Sequence, residues 1–173
     1  GTSNATPHRT PHMRAMAEGE RQLLGRNQSI LEVGTFRGKS MAEIWHDYGR
    51  VTCVDLWPEG MDVFLGNMKV LGLEEPQDYA AYRGDSRIVL PKLVRAGLSY
   101  DVVYIDGDHT YEGCKSDLEY GLKLVRPGGI LCGDDMTDAA HPHVARCPGV
   151  DLAVRDVLGD VLNQDGFFQF RMV

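Results

Sequence analysis

The 173-residue sequence has no Cys-x-x-Cys pair. Its four cysteines, Cys53, Cys114, Cys132 and Cys147, are dispersed, which gives a zinc site or dithiol redox motif no basis. Cys53 and Cys132 sit inside apolar runs and read as buried small residues. All four are expected as free thiols in a reducing, cytoplasmic setting. No apolar run reaches the length of a membrane span, and the first residues lack the basic-then-apolar pattern of a secretory signal. Positive charge is in deficit: 18 Lys and Arg face 25 Asp and Glu, for a net charge of −7. A nucleic-acid or anionic-membrane partner is therefore not expected, and only a local basic patch is left open. No repeat, low-complexity tract or linker divides the chain, and 43% hydrophobic residues suit one domain with a single sizeable core.

What is present is alternation. Apolar patterning predicts strands over 29–33, 51–55, 78–82, 101–105 and 130–133. Between them it predicts helices over 39–48, 61–71 (ended by Gly72), 85–96 (with Pro91 inside it, unfavourable for part of its length) and 110–125. The 110–125 helix carries an inward stripe of Tyr111, Cys114, Leu118, Leu122 and Val125, and Pro127-Gly128-Gly129 stops it. Strand–helix alternation points to a doubly wound parallel sheet with helices on both faces. The tail differs: a helix over 150–158 precedes segments 161–164 and 167–172, which flank Asp165-Gly166, a two-residue hairpin signal. Residues 1–28 form an N-terminal segment ahead of a single domain over 29–173. Its stretch 10–24 can serve as a lid helix anchored by Met13, Met16, Leu23 and Leu24, or pack on the core.

One end of the sheet suits a nucleotide. In the run from Ile30 to Ser40, a strand passes through Gly34 and Gly38 into a helix. Gly34 permits a sharp turn, Gly38 a close backbone approach, and the helix start can meet a carboxylate or phosphate. Glu32 closes the strand as a carboxylate suited to a cationic group; a plain strand-to-helix turn is the alternative. Asp55 ends the second strand, where an acidic side chain can accept from ribose hydroxyls. Leu56 and Trp57 can lie against an adenine ring, although Trp57 also fits a core position. In Gly84-Asp85-Ser86, Asp85 can accept from an adenine amino group and Ser86 can donate to a ring nitrogen. Either can also cap the following helix.

These segments together, Glu-x-Gly-x-x-x-Gly-x-Ser, then Val-Asp, then Gly-Asp-Ser, resemble the class I S-adenosylmethionine-dependent methyltransferases. Phe36 stands where the common form has a middle glycine, as in the metal-dependent catechol-type and caffeoyl-type O-methyltransferases. The resemblance implies a mostly parallel seven-stranded sheet of order 3-2-1-4-5-7-6 ending in an antiparallel hairpin. It also implies an S-adenosylmethionine site formed by Glu32, Gly34, Thr35, Phe36, Gly38, Ser40, Asp55, Leu56, Trp57, Gly84, Asp85, Ser86, Asp106 and Tyr111.

The other end is acidic. Ile105-Asp106-Gly107-Asp108-His109-Thr110-Tyr111-Glu112 closes the fourth strand and Gly133-Asp134-Asp135 the fifth. If these strands are neighbours, about 4.8 Å apart, the carboxylates converge at the sheet's carboxyl edge, where ligands of open α/β sheets bind. Clustered carboxylates call for a proton or cation, and oxygen ligands suit Mg2+, Mn2+ or Ca2+. With Arg126-Pro127-Gly128-Gly129, these segments are similar to a bacterial family related to macrocin-type sugar O-methyltransferases, over about 29–149. That similarity implies Asp106, Asp134 and Asp135 as metal ligands; turn-formers and caps are the alternative.

The implied reaction is attack of an acceptor oxygen on a sulfonium methyl. His109 is the leading candidate base, standing where catechol-type enzymes carry a lysine, with Asp108 second and Asp106 beside them. A hydrogen-bonded loop histidine is the alternative for His109. His141 and His143 can line the acceptor pocket or belong to a polar surface loop. The expected partner is a small hydroxylated acceptor, with a homodimer open. Three rivals remain: a nicotinamide-dependent oxidoreductase, which Gly34 and Gly38 fit poorly; a metal-independent methyltransferase; and a non-catalytic nucleotide-binding protein of this fold.

Overall fold

The computed structural model describes residues 9–24, 28–58, 60–137 and 147–173. The two histidines His141 and His143 lie outside these residues, as do the side chains of Leu23 and Leu24. The elements run α1 (Arg9–Leu24), β1 (Ser29–Val33), α2 (Lys39–Ile44), a 3-10 turn (Trp45–Asp47), β2 (Arg50–Asp55) and α3 (Met61–Val70). Then come β3 (Tyr79–Arg83), α4 (Ser86–Arg95), β4 (Tyr100–Ile105), α5 (Tyr111–Leu124), β5 (Val125–Gly133), α6 (Pro148–Leu158), β6 (Leu162–Gln164) and β7 (Phe167–Arg171).

The sheet has seven strands in the order β3-β2-β1-β4-β5-β7-β6. Strands β1 to β5 pair in parallel, and β7 is antiparallel to both β5 and β6. This is the expected doubly wound order. Strand side chains alternate between two cores. Ile30, Cys53, Val102 and Tyr104 pack under α1, α2 and α3, and Leu31, Val33, Val103 and Ile105 pack under α4, α5 and α6. Met13 and Met16 of α1 belong to the first core, and the Tyr48 hydroxyl donates to the Met13 carbonyl at 3.1 Å. The Asp165-Gly166 hairpin forms with both residues at positive φ, 56° and 84°, as a type I′ turn requires. All four cysteines are free thiols. No helix among the described residues is long and apolar enough to cross a membrane.

Two local expectations are corrected, the start of β5 and the buried stripe of α5. β5 starts at Val125, immediately after α5, rather than at Ile130. Tyr100 pairs with Val125 and Val102 with Ile130, so the Pro127-Gly128-Gly129 stretch is accommodated as an irregularity within the strand. α4 forms where the sequence predicts it and runs through Pro91, because Asp85 caps it and Val89, Leu90 and Leu93 are buried on the sheet, which outweighs one missing hydrogen bond. On α5 the buried stripe is Cys114, Asp117, Leu118, Gly121 and Leu124, with Tyr111 and Leu122 only partly buried.

The amino-terminal edge of the sheet is held by Asp101. Its buried carboxylate accepts from the Ser29 amide at 2.8 Å and the Ser29 hydroxyl at 3.0 Å, and it pairs with the Arg126 guanidinium.

Candidate active site

At the opposite, carboxyl edge lies a cleft of about 370 Å³. That falls at the lower end of small-ligand sites, roughly 300–1,000 Å³. It is lined by the ends of β1, β2 and β4 and the start of α4: Val33, Gly34, Phe36, Val54, Asp55, Leu56, Gly84, Asp85, Ser86, Arg87, Asp106, Gly107, Asp108 and Gly113.

Gly34 sets the floor. Its φ is +93°, and a Cβ there would lie 2.0 Å from the Asp106 carbonyl oxygen. The two loops beside it are tied by Asp55, whose Oδ2 accepts from the Phe36 amide at 2.7 Å and Oδ1 from the Trp57 amide at 2.8 Å. Each oxygen keeps a lone pair for a ligand hydroxyl. Phe36 and Leu56 stand at the rim, 50% and 59% exposed. Asp85 caps α4, accepting from the Arg87 amide at 2.9 Å. The Arg87 guanidinium also binds it in a fork, Nε to Oδ1 at 3.0 Å and Nη2 to Oδ2 at 2.6 Å. That pair holds the Asp85 carboxyl below its ordinary range.

Of the residues expected to contact the cofactor, Gly34, Phe36, Asp55, Leu56, Gly84, Asp85, Ser86 and Asp106 line this cleft. The others are placed differently. Glu32 is buried in the first core and accepts from the Ser40 hydroxyl, so both serve the inside of the β1–α2 turn. Thr35 is buried as well. Gly38 makes room for α3, since a Cβ on it would lie 2.8 Å from the Phe64 ring and 2.9 Å from Met68. Trp57 is 1% exposed, packs against Phe64, and donates its indole N–H to the Phe36 carbonyl; Leu56 is the neighbour offered to the cleft. The Tyr111 hydroxyl donates to Asp156 at 2.7 Å, away from the cleft.

Beside the cleft, Asp106, His109 and Asp135 bring one ligand-capable atom each to within 4.8 Å of one another. His109 Nε2 lies 2.7 Å from Asp135 Oδ2 and 3.8 Å from Asp106 Oδ1. The Asp106 and Asp135 carboxylates push the imidazole up to about 10, so it holds its proton at neutral pH. Asp134, expected in this group, is not part of it. Asp135 turns toward His109 through a left-handed conformation, φ 66°, whereas Asp134 stays buried at the strand end. Asp108 lines the cleft, accepts from the Thr110 amide at 2.9 Å and packs over Gly113.

Sequence reasoning missed Arg87, Gly107, Gly113 and the two apolar walls Val33 and Val54. Arg87 had one visible signal, its position two residues after a cap. Val33 and Val54 line the cleft as paired strand ends, Gly107 from the turn after β4 and Gly113 from the first turn of α5, and none carries a local signal.

Residues 31–136 match the family described as "Methyltransferase domain". Comparison with curated proteins finds no match. Among solved structures, CalS11, a TDP-rhamnose 3′-O-methyltransferase of calicheamicin biosynthesis, is similar at 20% identity and TM-score 0.67, covering 95% of this chain and 80% of its own. An O-methyltransferase from Bacillus cereus, in complex with SAH, has 20% identity and TM-score 0.68, covering 94% and 81%. TomG from Streptomyces achromogenes, an O-methyltransferase of tomaymycin synthesis in complex with SAM, has 21% identity and TM-score 0.68, covering 94% and 79%. Each covers nearly the whole of this chain with the same fold, and the family match spans the strands that build the cleft. The chain belongs to the methyltransferase-domain family, and it shares the fold of these O-methyltransferases.

Proposed function

We propose that this chain methylates an oxygen of a small hydroxylated acceptor, using S-adenosylmethionine and a divalent cation held between Asp106 and Asp135. One observation carries the reading: Asp106 lines the cleft and also belongs to the carboxylate–imidazole cluster, so donor and acceptor ends of the site adjoin. The donor set fits a cation. Two carboxylates at the edge of the cleft suit Mg2+ or Mn2+ as hard oxygen ligands.

S-adenosylmethionine supplies an electrophilic sulfonium methyl, and a cation, when bound, lowers the pKa of an acceptor hydroxyl. The chain's own residues position the partners. Asp55 offers its remaining lone pairs to ribose hydroxyls, Leu56 and Phe36 shield the rim, and the Gly84-Asp85-Ser86 turn meets the base. His109 is the base. Its proton is held by two carboxylates, and neutralising them returns Nε2 toward the ordinary imidazole range, where it accepts a hydroxyl proton. A second reading follows from the 2.7 Å contact to Asp135: His109 is itself a ligand, and Asp108 takes the proton.

The test is methyl transfer from labelled S-adenosylmethionine to a panel of catechols, sugars and small hydroxylated compounds, with EDTA, Mg2+ or Mn2+. Transfer lost in EDTA and restored by the cation is expected; unchanged transfer in EDTA removes the cation. His109→Ala should lower transfer by about 10²-fold at unaltered cation affinity. Loss of cation affinity in that variant would favour the second reading. Binding of S-adenosylhomocysteine without transfer to any acceptor would favour the non-catalytic alternative.

A further inference from the structure

The inward stripe of α5 contains a carboxylate that the reaction does not use. Asp117 is 0% exposed, and neither of its oxygens receives a hydrogen bond of standard geometry. An ionised carboxylate in that position is costly unless donors reach it. It lies directly behind the cleft wall: Oδ2 is 3.3 Å from where a Cβ on Gly107 would stand, and Gly107 lines the cleft. The hydroxyl that bears on it belongs to Ser86, the first residue of α4, which also lines the cleft.

The other charged and titratable groups facing Asp117 offer little. Arg87 is engaged in its fork with Asp85. Asp85 and Asp108 are acids that raise its pKa. Cys114, one turn earlier on α5, is a weak donor whose thiol is itself pushed up by burial and by Asp117. Ser86 therefore stands between a buried carboxylate and the cleft.

A serine hydroxyl has one proton and two lone pairs. If Asp117 takes the proton from behind, only lone pairs remain for the cleft. We propose that Asp117 fixes Ser86 as a hydrogen-bond acceptor toward the ligand, so that the site selects a base bearing an exocyclic amino donor over one bearing a carbonyl there. This rests on the adenosyl reading of the cleft and assigns Asp117 as a positioning residue for base specificity. It reverses the polarity that the sequence suggests for Ser86 as a donor to a ring nitrogen. Burial also pushes the Asp117 carboxyl up to about 6, so the polarity is set above that pH. Below it, a protonated Asp117 donates to Ser86, whose own proton then points into the cleft.

The experiment is isothermal titration of S-adenosylhomocysteine and S-inosylhomocysteine, which differ by amino against carbonyl, into the full chain at pH 8 and pH 5. The parental protein should prefer the adenosyl ligand at pH 8 by at least about tenfold, the worth of one well-made hydrogen bond against an unpaired group. That preference should shrink at pH 5. Asp117→Asn keeps the shape but offers an N–H to Ser86, so its preference should fall several-fold at pH 8 and not vary with pH. Ser86→Ala should show the same loss, and the double variant should be no worse than the weaker single. Equal weakening of both ligands in Asp117→Asn, with the ratio kept, would mean a structural role only and overturn the proposal. Failure of the parental protein to bind S-adenosylhomocysteine would instead overturn the adenosyl reading and this inference with it.

Discussion

Gly34→Ala is the substitution whose cost the structure defines most closely. An added Cβ would sit 2.0 Å from the Asp106 carbonyl oxygen and 2.4 Å from its carbon, where ordinary contact begins at 3.4 Å. Backbone must therefore move by more than an ångström, and the atoms met are those of β4's exit. The same strand end donates the Asp106 amide to the Val33 carbonyl at 2.8 Å, a bond that cannot survive the shift. Three contributions add: strain of alanine at φ +93°, about 1–2 kcal/mol; overpacking, about 1–3 kcal/mol; and the lost backbone bond, about 1 kcal/mol. Gly72→Ala is the control, because Gly72 has φ +73° but nothing within 4 Å of its Cβ position. It should incur the strain alone. Gly34→Ala should then be about 3 kcal/mol less stable than Gly72→Ala, or about 6–12 °C lower in Tm for a chain of this size. Reversible thermal and urea unfolding measure the difference. Titration with S-adenosylhomocysteine should show at least tenfold weaker binding in Gly34→Ala only. Equal stabilities of the two variants, or unchanged ligand affinity, would refute the reasoning.

Trp57→Ala should open a core cavity beside Phe64 and cost about 3–5 kcal/mol, whereas Leu56→Ala, at an exposed rim, should leave stability within about 0.5 kcal/mol and weaken cofactor binding; parallel melts and titrations separate the neighbours. Asp117→Asn should stabilise the ligand-free chain above pH 6. The folded pKa of Asp117 is raised to about 6 from 3.8, so the favourable contribution of its proton is fully present below 3.8 and lost as pH rises through 6. The gain should be about 2–3 kcal/mol at pH 8 and vanish near pH 4 in urea midpoints; a pH-independent difference would contradict it. Asp101→Ala leaves Arg126 and Ser29 without their buried partner and should cost about 3–5 kcal/mol in the same assay, with no change in cleft chemistry.

The sequence carried the architecture and much of the cleft. Strand–helix alternation and the Asp165-Gly166 turn are local signals, and both appear in the sheet. Gly34, Asp55 and Gly84-Asp85-Ser86 sit at strand ends, and a parallel sheet brings all its strand ends to one edge, so their convergence was legible without coordinates. Local signals failed where two local preferences conflicted. Pro127-Gly128-Gly129 argued against an early β5, yet strand pairing from Val125 prevailed, whereas α4 formed as predicted with Pro91 inside it.

Side-chain direction was the part that only tertiary structure could decide. Leu56 and Trp57, like Asp134 and Asp135, are consecutive pairs of matching chemistry; a positive φ at Trp57 and at Asp135 sends one of each pair inward and one toward the site. Backbone sterics of packed neighbours set such angles, and sequence spacing does not report them. The same holds for Asp117, one acidic letter within an otherwise apolar stripe, whose position behind Gly107 and Ser86 exists only once α4, α5 and β4 are packed together.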